Sequence, residues 1–461
     1  MPTLINTTVQ KHKRGSRIWL EGQRIQREGF LPGLRYTISE KDSCLILSIC
    51  EEGSHLISRR HRNGHDLPII DLTNRALETL FYGVERIRVL VRRGCIIISA
   101  HYQCLERKDR EVRITNKIRA NTPLSLGSLF HGGGVLDKAI HHGFANVGVN
   151  STISIAVEID GQYLDSSIAN NPELWDSQSI PVESGVQYLQ MSDKSPRLDG
   201  VCAGIPCTGA SLSGRSKLKL TFAEDHSGAG ACFFWFLLFV QKVNPAFIII
   251  ENVPTYATTA SASVIRSVLT TLGYQIKERV FGGNDFGALE DRYRWVLVAL
   301  SKGLFSDFDL ESVQSVCSKP TTIGDVLDQV SADADTWKSY EYLAEKELKD
   351  RNAGKGFRRQ LLSPDDDRCG TIGRSYNKAR STEPFLKHPT DGSLSRLFTP
   401  GEHARLKGIP ESVIHGLSAT TAHEVLGQSV IYPAFVAIAQ AIARHLLTVA
   451  GKSSGQVDVA A

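Results

Sequence analysis

The sequence lacks several patterns that would assign the chain to a particular class. Its nine cysteines include no C-x-x-C pair, so neither a zinc ribbon nor a disulfide framework is indicated, and no metal site is expected. The longest nearly unbroken apolar run, residues 231–240, has 10 residues, half of the ~20 needed to cross a bilayer. The N-terminus offers no apolar stretch or cleavage site of a secretory signal. We therefore expect a cytoplasmic protein without a membrane segment.

The composition suits a folded protein with more than one domain. The chain has 461 residues, of which 41% are hydrophobic and 22% charged, enough for two or three cores at ~150 residues per domain. Collagen, coiled coil and extensive disorder are excluded. The net charge of +4 is unevenly distributed, because residues 1–120 hold 22 Lys and Arg against 13 Asp and Glu. A basic N-terminal region favours a polyanionic partner.

Residues 1–115 are predicted to form a small β-rich domain. Turn signals at Pro32-Gly33 and Asn63-Gly64 separate short runs that are typical of strands. The runs are IWLEG (18–22), RYTIS (35–39), CLILSIC (44–50), VERIRVLV (84–91) and CIIISAH (95–101). No internal repeat is visible in the sequence.

After Arg119 the pattern becomes that of an α/β fold. The run SLGSLF meets three glycines and then the helical pattern VLDKAIHHGF, and a second strand, ISIAVEID, follows. This order opens a doubly wound α/β fold with a parallel sheet. Further strands are expected at 198–203, 246–250 and 295–300.

The alternation stops between residues 305 and 394. Over residues 351–387, nine basic side chains face four acidic ones, which indicates either a solvated insertion or a surface that follows phosphates. Residues 395–448 return to helix, with a capping signal in TPGEHARLKGIP and helical apolar spacing in PAFVAIAQAIARHLL. Residues 449–461 are predicted to be a flexible tail.

A glycine motif, FHGGG, lies where the first strand of the α/β region passes into a helix. Glycines there let a ligand approach the backbone while helix amides face it, although a tight turn without a ligand explains the motif as well. Glu158 ends the second strand, where a carboxylate can accept from both ribose hydroxyls of an adenosine-type cofactor. The alternative is an exposed acid at a strand end.

The segment GVCAGIPCTGAS places a cysteine after another predicted strand. Cys207 follows Pro206 near the carboxyl ends of the strands, where substrate sites of open α/β sheets lie. A loop cysteine can have a lowered pKa and act as a nucleophile, whereas Cys202 within the strand is expected to be inert. The alternative is a purely structural Cys207.

Two further segments carry charged residues beside strands. In PAFIIIENVP, Glu251 and Asn252 follow four consecutive apolar residues, and buried carboxylates are unusual unless they are paired or used. In EDRYR, period-two spacing puts Arg292 and Arg294 on one face. Two guanidinium groups there suit an anion or a carbonyl oxygen, and a surface salt-bridge strip is the alternative.

The order of these motifs resembles that of the DNA (cytosine-5) methyltransferases over residues 122–446. The series is F-x-G-x-G, G-x-P-C, E-N-V, R-x-R, R-x-x-T-x-x-E-x-x-R-L-x-G-x-P and G-x-S-V. The matching residues are Phe130, Gly132, Gly134, Gly204, Pro206, Cys207, Glu251, Asn252, Val253, Arg292, Arg294, Arg396, Thr399, Glu402, Arg405, Leu406, Gly408, Pro410, Gly427, Ser429 and Val430. The resemblance implies a Rossmann-like methyltransferase domain in residues 122–304 and 395–448, with a target-recognition region inserted at 305–394.

The resemblance also implies a mechanism carried by Cys207, Glu251, Arg292 and Arg294. Because cytosine C5 is a poor nucleophile, the Cys207 thiolate is expected to attack C6. Glu251 would hold N3 and the exocyclic amino group, and the two arginines would lie around the O2 carbonyl and nearby backbone. C5 then takes the methyl group of S-adenosylmethionine, and loss of the C5 proton expels the thiol. The base must first be flipped out of the duplex.

Ligand-binding residues follow from the same resemblance. S-adenosylmethionine is implied to contact Phe130, Gly132, Gly134, Glu158, Pro206, Ser429 and Val430. Double-stranded DNA is implied to contact Arg358, Arg359, Arg374, Lys378 and Arg380. No obligate protein partner is indicated, and a bacterial, phage or mobile-element setting is expected. The segment gives no means of reading the recognition sequence.

Several positions depart from the family pattern. With the usual residue in parentheses, they are Ser128 (Asp), Val135 (Gly), Thr208 (Gln), Glu290 (Gln) and Gln428 (Asn). None removes the nucleophile or its acid partner, but Glu290 and Gln428 are expected to affect how DNA or cofactor is positioned. The family's third block has no clear acid, because Val186 lies nearest by spacing and Asp193 is the alternative.

The N-terminal region has a resemblance of its own. RGSRIWLEGQRIQREGFLPGLRYTIS looks like the SymE-type toxins of the swapped-hairpin AbrB superfamily, over only some 40 residues. This resemblance implies a basic accessory domain that binds nucleic acid. A plain β domain with a solvated basic face is the alternative.

Three other functions compete with DNA methylation. An RNA cytosine-5 methyltransferase could use the same motifs, although the long basic region favours DNA. A catalytically weak DNA-binding regulator would explain the substituted positions, but Cys207, Glu251 and Arg292 are intact. A nicotinamide dehydrogenase would explain the glycine motif and Glu158, yet it leaves G-x-P-C and E-N-V unexplained.

Overall fold

A computed structural model describes residues 2–12, 15–62, 64–73, 75–192, 194–210, 221–354 and 356–452. The chain divides into two compact units, Met1–Asp109 (unit 1) and Arg110–Ala461 (unit 2). The division falls inside the helix Tyr102–Ala120, so residues 110–120 of that helix belong to unit 2.

Unit 1 is built mainly from antiparallel strands. Its elements are β1 (Thr3–Thr8), β2 (Gln10–His12), β3 (Gly15–Glu21), α1 (Gln23–Gln26), β4 (Arg35–Lys41), β5 (Cys44–Ile49), β6 (His55–Leu56), β7 (Ser58–Arg62), β8 (His65–Leu72), α2 (Arg75–Leu80), β9 (Arg86–Arg92), β10 (Cys95–Ala100) and the start of α3 (Tyr102–Ala120). A six-stranded sheet has the order β1-β9-β10-β5-β4-β6, and a four-stranded sheet has the order β2-β3-β8-β7. The five predicted runs correspond to β3, β4, β5, β9 and β10.

The pairing in unit 1 shows an internal repeat, contrary to the sequence analysis. The first copy runs from β1 to β5 with α1, and the second runs from β6 to β10 with α2. Equivalent strands form equivalent pairs: β2 with β3 and β7 with β8, β4 with β5 and β9 with β10, β1 with β9 and β6 with β4. The repeat is hidden in the sequence because alternating apolar residues look alike in any half-buried strand.

Unit 2 alternates strands and helices before and after an insertion. Its elements are β11 (Leu124–Leu129), α4 (Val135–Ala145), β12 (Ser151–Glu158), α5 (Gly161–Asn170), β13 (Ile180–Glu183), β14 (Gly200–Gly204), α6 (Cys232–Val243), β15 (Phe247–Asn252), α7 (Ala260–Thr271), β16 (Tyr274–Gly282), β17 (Glu290–Asp291), β18 (Tyr293–Ser301), β19 (Lys338–Ser339), α8 (Glu341–Asn352), β20 (Gln360–Leu362), β21 (Cys369–Gly370), β22 (Pro384–Lys387), β23 (Leu394–Arg396), α9 (Pro400–Leu406), α10 (Ala419–Gln428) and α11 (Tyr432–Val449).

A seven-stranded sheet with the order β13-β12-β11-β14-β15-β18-β16 forms the centre of unit 2. The first five of these strands are parallel, and β18 runs antiparallel to β15 and β16. Successive residues of β15 belong to different clusters, since Phe247 and Ile249 pack with α4 and α11 whereas Ile248 and Ile250 pack with α6 and α7. The predicted doubly wound α/β fold is therefore confirmed. The order in which strands are added to the sheet reverses between the parallel neighbours β11 and β14.

The predicted insertion contains short strands where the sequence shows no regular alternation. A four-stranded sheet with the order β19-β23-β22-β20 surrounds a separate apolar cluster that includes Ile372, Tyr376 and Leu386. A two-stranded pair, β17 with β21, connects this region to the strand before Arg292. These strands are two to four residues long, too short to give a periodic pattern.

The most apolar helices are core elements. The run at 231–240 corresponds to α6, whose Phe236 and Val240 are fully buried. Of the described helices, α11 has the length and composition to cross a membrane, but 72% of the residues concerned are buried inside the fold. Helices of this kind are expected in the core of a large domain.

Candidate active site

The predicted site residues come together at one edge of the central sheet. Glu158 is the last residue of β12, Glu251 is the penultimate residue of β15, and Cys207 follows β14 by three residues. Because β11, β12, β14 and β15 are parallel, their carboxyl ends lie along the same edge. Ligands of open α/β sheets bind at such an edge.

The loop that carries Cys207 is held by polar side chains from the segment after β15. Asn252, which is buried, donates from Nδ2 to the Ile205 carbonyl at 2.9 Å and accepts the Val253 amide at 2.9 Å. Thr255 donates to the Ala210 carbonyl at 2.9 Å. The loop is therefore anchored on both sides of the cysteine, and the Asn of E-N-V acts as one anchor.

Charged side chains on neighbouring strands surround the Cys207 thiol. Burial raises its pKa, and the negative charge of Glu251 raises it further, while Arg294 and Arg292 act in the opposite direction. The overall direction is upward. The lowered pKa that a loop cysteine can have is thus not found here, because the thiol is largely buried beside a carboxylate.

Glu251 and Arg294 form a close ion pair. Arg294 Nε lies 2.6 Å from Glu251 Oε1, and both side chains are 13% exposed. A methyl group placed on Gly204 would lie 3.5 Å from Glu251 Oε2, so the carboxylate lies over the end of the strand that leads to Cys207. The ion pair with Arg294 therefore fixes the orientation of the Glu251 carboxylate in the site.

Arg292 has different surroundings from Arg294. It is 3% exposed and donates from Nη2 to the Gly427 carbonyl at 3.3 Å and from Nη1 to the Ile372 carbonyl at 3.5 Å. Burial and the charge of Arg294 lower its pKa to about 10. Arg292 thus joins the strand region to the insertion and to the C-terminal segment, while its charge still acts on Cys207.

Glu290 belongs to a buried ion pair with Lys407. Its Oε2 is 2.9 Å from Lys407 Nζ, and its Oε1 accepts the Ile372 amide at 2.8 Å. Burial would raise the pKa of Glu290, but Lys407 and Arg292 lower it overall. Burial and Arg292 lower the pKa of Lys407 to about 7, against the opposing effect of Glu290. No feature of the sequence singled out Lys407.

The glycine motif forms a loop with left-handed backbone. Phe130, Gly132 and Gly134 have φ of 60°, 56° and 76°, a region that favours glycine and is strained for phenylalanine. Glu158 accepts the Gly132 amide at 2.7 Å through Oε2 and the Ile159 amide at 2.9 Å through Oε1. The predicted loop and acid are thus in direct contact, and the nearly buried carboxylate is held by the backbone of the loop and of the strand end.

Ser128, at a position where Asp is usual, takes part in a buried polar network. Its hydroxyl donates to Asp137 at 2.8 Å, and it lies 2.9 Å from His131 Nδ1. His131 Nε2 lies 2.7 Å from the Ser167 hydroxyl. Asp137 of α4 therefore supplies a carboxylate beside Ser128, and no motif in the sequence singled out Asp137.

The C-terminal motifs pack against the glycine loop and the insertion. The amide nitrogen of Gln428 lies 3.8 Å from the position of a methyl group on Gly132, so this departure from the family pattern lies beside the predicted cofactor loop. Ser429 and Val430 are buried, and Ser429 donates to the Leu426 carbonyl at 2.6 Å. Pro206 is half-buried in the loop before Cys207.

The long C-terminal motif has a structural explanation. Arg396 and Glu402 form a buried bidentate pair with two contacts of 2.7 Å. Thr399 caps α9, with its hydroxyl accepting the Glu402 amide and Glu402 accepting the Thr399 amide. The predicted capping signal is confirmed. Arg405 pairs with Asp328 and Glu411.

Of the two candidates for the third-block acid, only one is described. Val186 lies in a short 3-10 turn, Val186–Tyr188, and is buried in the cluster that contains α6. It offers no polar atom to a ligand. Asp193 lies outside the described residues.

The predicted DNA-binding residues are mostly exposed on the insertion. Arg358, Lys378 and Arg380 are exposed. Arg359 is half-buried and donates to Ser395 at 3.4 Å, and Arg374 donates to the Tyr163 hydroxyl at 2.6 Å. Two of the five residues, Arg359 and Arg374, therefore make contacts within the protein.

An open cavity of about 940 Å³ lies next to, rather than on, the predicted cofactor loop. Its lining includes Asp160, Gly161, Asp165, Glu183 and His415. No residue predicted to bind the cofactor lines it. The strand ends, with their buried carboxylates and thiol, therefore define the site better than cavity size does.

Comparison with known proteins decides the family. Residues 124–444 match the family of C-5 cytosine-specific DNA methylases, which is most of the chain. The chain belongs to the C-5 cytosine-specific DNA methylase family. Members of this family use S-adenosylmethionine as methyl donor.

Relatives of this C-5 cytosine-specific DNA methylase include bacterial proteins. It is 28% identical over 256 residues to the Type II methyltransferase M1.ScrFI of Lactococcus lactis subsp. cremoris, covering 53% of this chain and 62% of that protein. It is 29% identical over 265 residues to M.NlaX of Neisseria lactamica, covering 56% and 80%. The chain thus spans less than two thirds of the length of M1.ScrFI.

Solved structures of similar fold include those of eukaryotic proteins. The structure of the S. pombe Dnmt2 methyltransferase matches with a TM-score of 0.55 and 21% identity, covering 70% of this chain and 98% of that one. The Entamoeba histolytica methyltransferase EhMeth matches with a TM-score of 0.52 and 20% identity, covering 71% and 98%. These matches support the Rossmann-like methyltransferase fold of this family member.

Proposed function

We propose that this protein is a DNA (cytosine-5) methyltransferase that modifies a flipped-out cytosine in duplex DNA. The observation that carries the proposal is the convergence of three side chains at one edge of the sheet: Cys207 and Glu251 at the carboxyl ends of β14 and β15, and Arg294 at the amino end of the antiparallel β18. A cytosine needs a nucleophile at C6 and a hydrogen-bonding group at N3, and these side chains supply both. A cytoplasmic setting and a restriction-modification role fit the Type II methyltransferases among the relatives.

The chain's own residues carry the covalent chemistry. The Cys207 thiol releases its proton to water, its sulfur forms a bond to C6, and the electrons of the C5–C6 double bond move toward N3 and the ring carbonyl. Glu251, held by Arg294, would bind the N3 and amino edge and pass a proton from water to N3. After C5 is methylated, the C5 proton passes to water, its bonding electrons restore the C5–C6 double bond, the S–C6 bond breaks to release the Cys207 thiolate, and N3 returns its proton through Glu251. Arg292 acts as a positioning residue through Gly427 and Ile372.

The residues at the strand ends fit S-adenosylmethionine. Positive φ at Gly132 and Gly134 opens the loop to close approach, and Glu158 presents a nearly buried carboxylate for the ribose hydroxyls. Phe130, Pro206, Ser429 and Val430 would complete the pocket. When bound there, S-adenosylmethionine supplies the methyl group. Arg358, Arg359, Arg374, Lys378 and Arg380 would contact the DNA near its target.

Methyl transfer tests the proposal directly. Purified wild type, Cys207→Ser and, as a matched control, Cys50→Ser are incubated with labelled S-adenosylmethionine and duplex DNA. Wild type and Cys50→Ser are expected to label DNA, whereas Cys207→Ser reduces incorporation by at least about 1,000-fold. Equal incorporation by wild type and Cys207→Ser would overturn the mechanism.

A second substrate separates the RNA alternative. The same assay with an RNA of the length of a transfer RNA in place of DNA should give no incorporation of labelled methyl groups. Incorporation of label into RNA but not into DNA would mean that RNA, rather than DNA, is the substrate. Sequencing of the methylated DNA then identifies the recognition site, which the insertion residues do not reveal.

A further inference from the structure

The repeat in unit 1 relates its two halves by a local two-fold axis. Leu20 of β3 pairs with Ile70 of β8, and Ile46 of β5 pairs with Ile97 of β10. In each case the partner is the residue's own counterpart in the second copy, 50 or 51 positions later. Two independent pairs of this kind place the axis through the middle of both sheets.

From Phe30 onward, sequence identities support the repeat at an offset of 51, one more than the 50 positions between Leu20 and Ile70. The identical pairs are Phe30 and Phe81, Arg35 and Arg86, Cys44 and Cys95, Ile46 and Ile97, and Ser48 and Ser99. The buried residues Leu45 and Leu47 likewise correspond to Ile96 and Ile98. One chain thus contains two copies of one β-β-β-α-β-β motif folded together.

The outer face of the six-stranded sheet is basic. In antiparallel strands, register partners share a face and alternate residues face opposite sides, so the partners of the buried residues define the inner face. The outer positions are Leu4, Asn6 and Thr8 on β1, Arg86, Arg88, Leu90 and Arg92 on β9, Cys95, Ile97 and Ser99 on β10, Cys44, Ile46 and Ser48 on β5, Arg35, Thr37, Ser39 and Lys41 on β4, and Leu56 on β6. None of these described positions is acidic. We call this surface the basic sheet face.

The basic residues of this face form two rows related by the two-fold axis. Arg86 and Arg92 on β9 correspond to Arg35 and Lys41 on β4, and Arg88 adds a fifth charge. All five are exposed, and within the described part of the chain Arg86, Arg88, Arg92 and Lys41 form no ion pair. β9 and β4 are three strand spacings apart, about 14 Å, which is close to the ~12 Å width of the major groove.

We propose that the basic sheet face binds the phosphate backbones of duplex DNA, with one row on each strand. This inference rests on duplex DNA being the substrate under the proposed function. The two backbones of a duplex are themselves related by local two-fold axes, so a two-fold face can make the same contacts with both. A single strand has no such symmetry. Arginine, lysine and hydroxyl groups suit phosphates and read no base sequence.

Salt dependence of DNA binding by the full chain tests the proposal. Fluorescence anisotropy with a labelled 20-base-pair duplex compares wild type with Arg35→Gln plus Lys41→Gln, with the equivalent Arg86→Gln plus Arg92→Gln, and with all four together. Each phosphate contact contributes about 0.9 to the slope of log affinity against log salt. Each pair should therefore reduce the slope by about 2, equally for both rows, and all four by about 4.

The control removes two charges from another surface of unit 1. Arg24 and Arg27 are exposed on α1, which packs against β3 and β8, and Arg24→Gln plus Arg27→Gln should leave the slope within about 0.5 of wild type. Thermal melting confirms that each variant is folded. The proposal is overturned by an unchanged slope in the fourfold variant, by an equal effect of the control, or by equally tight and equally salt-dependent binding of single-stranded DNA or of RNA.

The two experiments test the proposed methylation and the proposed DNA-binding surface independently. If wild type transfers no methyl group but the slopes change as expected, the reaction is wrong and the surface stands. If wild type methylates DNA and the fourfold variant keeps the wild-type slope, the surface is wrong and the reaction stands.

Discussion

At the scale of single residues, Cys207 poses a chemical problem that its neighbours resolve only in part. Its reactive form is the thiolate, yet burial and Glu251 raise the pKa of the thiol while Arg294 and Arg292 act against them. In the protein alone, Cys207 is therefore held mainly as a thiol. A cytosine bound to Glu251 would offset the negative charge of this carboxylate, so the carboxylate would raise the pKa of Cys207 less. Deprotonation of Cys207 and binding of the substrate are therefore coupled.

The pH dependence of Cys207 alkylation checks this coupling. A raised pKa means that the thiolate forms only at high pH, so the alkylation rate of Cys207 by iodoacetamide should have its midpoint above ~8.5, the ordinary value for a free thiol. Glu251→Gln removes the negative charge and should lower the midpoint by roughly 1 pH unit. Peptide mass spectrometry follows Cys207 separately from the other eight cysteines.

A carboxylate elsewhere in the sheet provides the control. Glu278 pairs with Arg266 and does not act on the Cys207 charge, so Glu278→Gln should leave the midpoint in place. A wild-type midpoint below the ordinary value, or equal midpoints in wild type and Glu251→Gln, would contradict the electrostatic account.

Which site residues the sequence could reveal depended on where they lie. Cys207, Glu251 and Glu158 follow apolar strands directly, so their positions at the strand ends were predictable. Lys407 directly follows α9 and Asp137 lies in α4, at positions where a charged residue usually faces solvent. Lys407 is buried by its contact with Glu290, 117 residues away, and Asp137 by contacts with Ser128 and His131 across the turn between β11 and α4, so no helical pattern encodes either contact.

At the scale of elements, one buried ion pair joins three segments of unit 2. Glu290 of β17 contacts Lys407 after α9 and the Ile372 amide after β21. The two side chains are 2% and 1% exposed, so removing either partner leaves a buried charge poorly compensated. The pair fixes the insertion against the strand that precedes Arg292.

A double-mutant cycle measures this connection. Glu290→Gln and Lys407→Met are each expected to lower the free energy of unfolding by about 3–5 kcal/mol, and the double variant should lose less than the sum by about 1–3 kcal/mol. Urea denaturation followed by tryptophan fluorescence gives the values. The more exposed Arg266–Glu278 pair is the control, with an expected coupling below about 1 kcal/mol. Additive effects at Glu290 and Lys407 would show that the pair does not join the segments.

Elements with long periodic patterns were predictable and the others were not. Five of the seven strands of the central sheet agree with the predicted runs to within about two residues, because each is a run of apolar residues bounded by turns. The other two, β13 and β16, were not predicted. The strands of the insertion are two to four residues long and carry no period. The repeat in unit 1 became visible from strand pairing, since the identities between the two copies are few and scattered along the chain.

At the scale of the whole molecule, the boundary between the units determines what can be removed. The predicted boundary at residue 115 stays a prediction, but the compact division lies at 109/110. Arg110 is 2% exposed and donates to Ser301 at 2.9 Å, to Asn244 at 3.2 Å and to the Leu272 carbonyl at 2.9 Å. These contacts all lie within unit 2, so α3 contributes to the core of unit 2.

Two truncations distinguish the boundaries. Removal of residues 1–100 keeps α3 whole, and the remaining chain should retain nearly the unfolding free energy of unit 2. Removal of 1–115 deletes Arg110 and its hydrogen bonds, each worth about 1.5–3 kcal/mol when the donor is charged, and should lower that free energy by about 3 kcal/mol or more. Arg110→Ala in the full chain should reproduce most of the loss, whereas Lys108→Ala, at an exposed position of the same helix, should change it by less than about 0.5 kcal/mol. Equal stability of the two truncations would mean that the first turns of α3 are dispensable to unit 2, and that the division at 109/110 does not describe an energetic boundary.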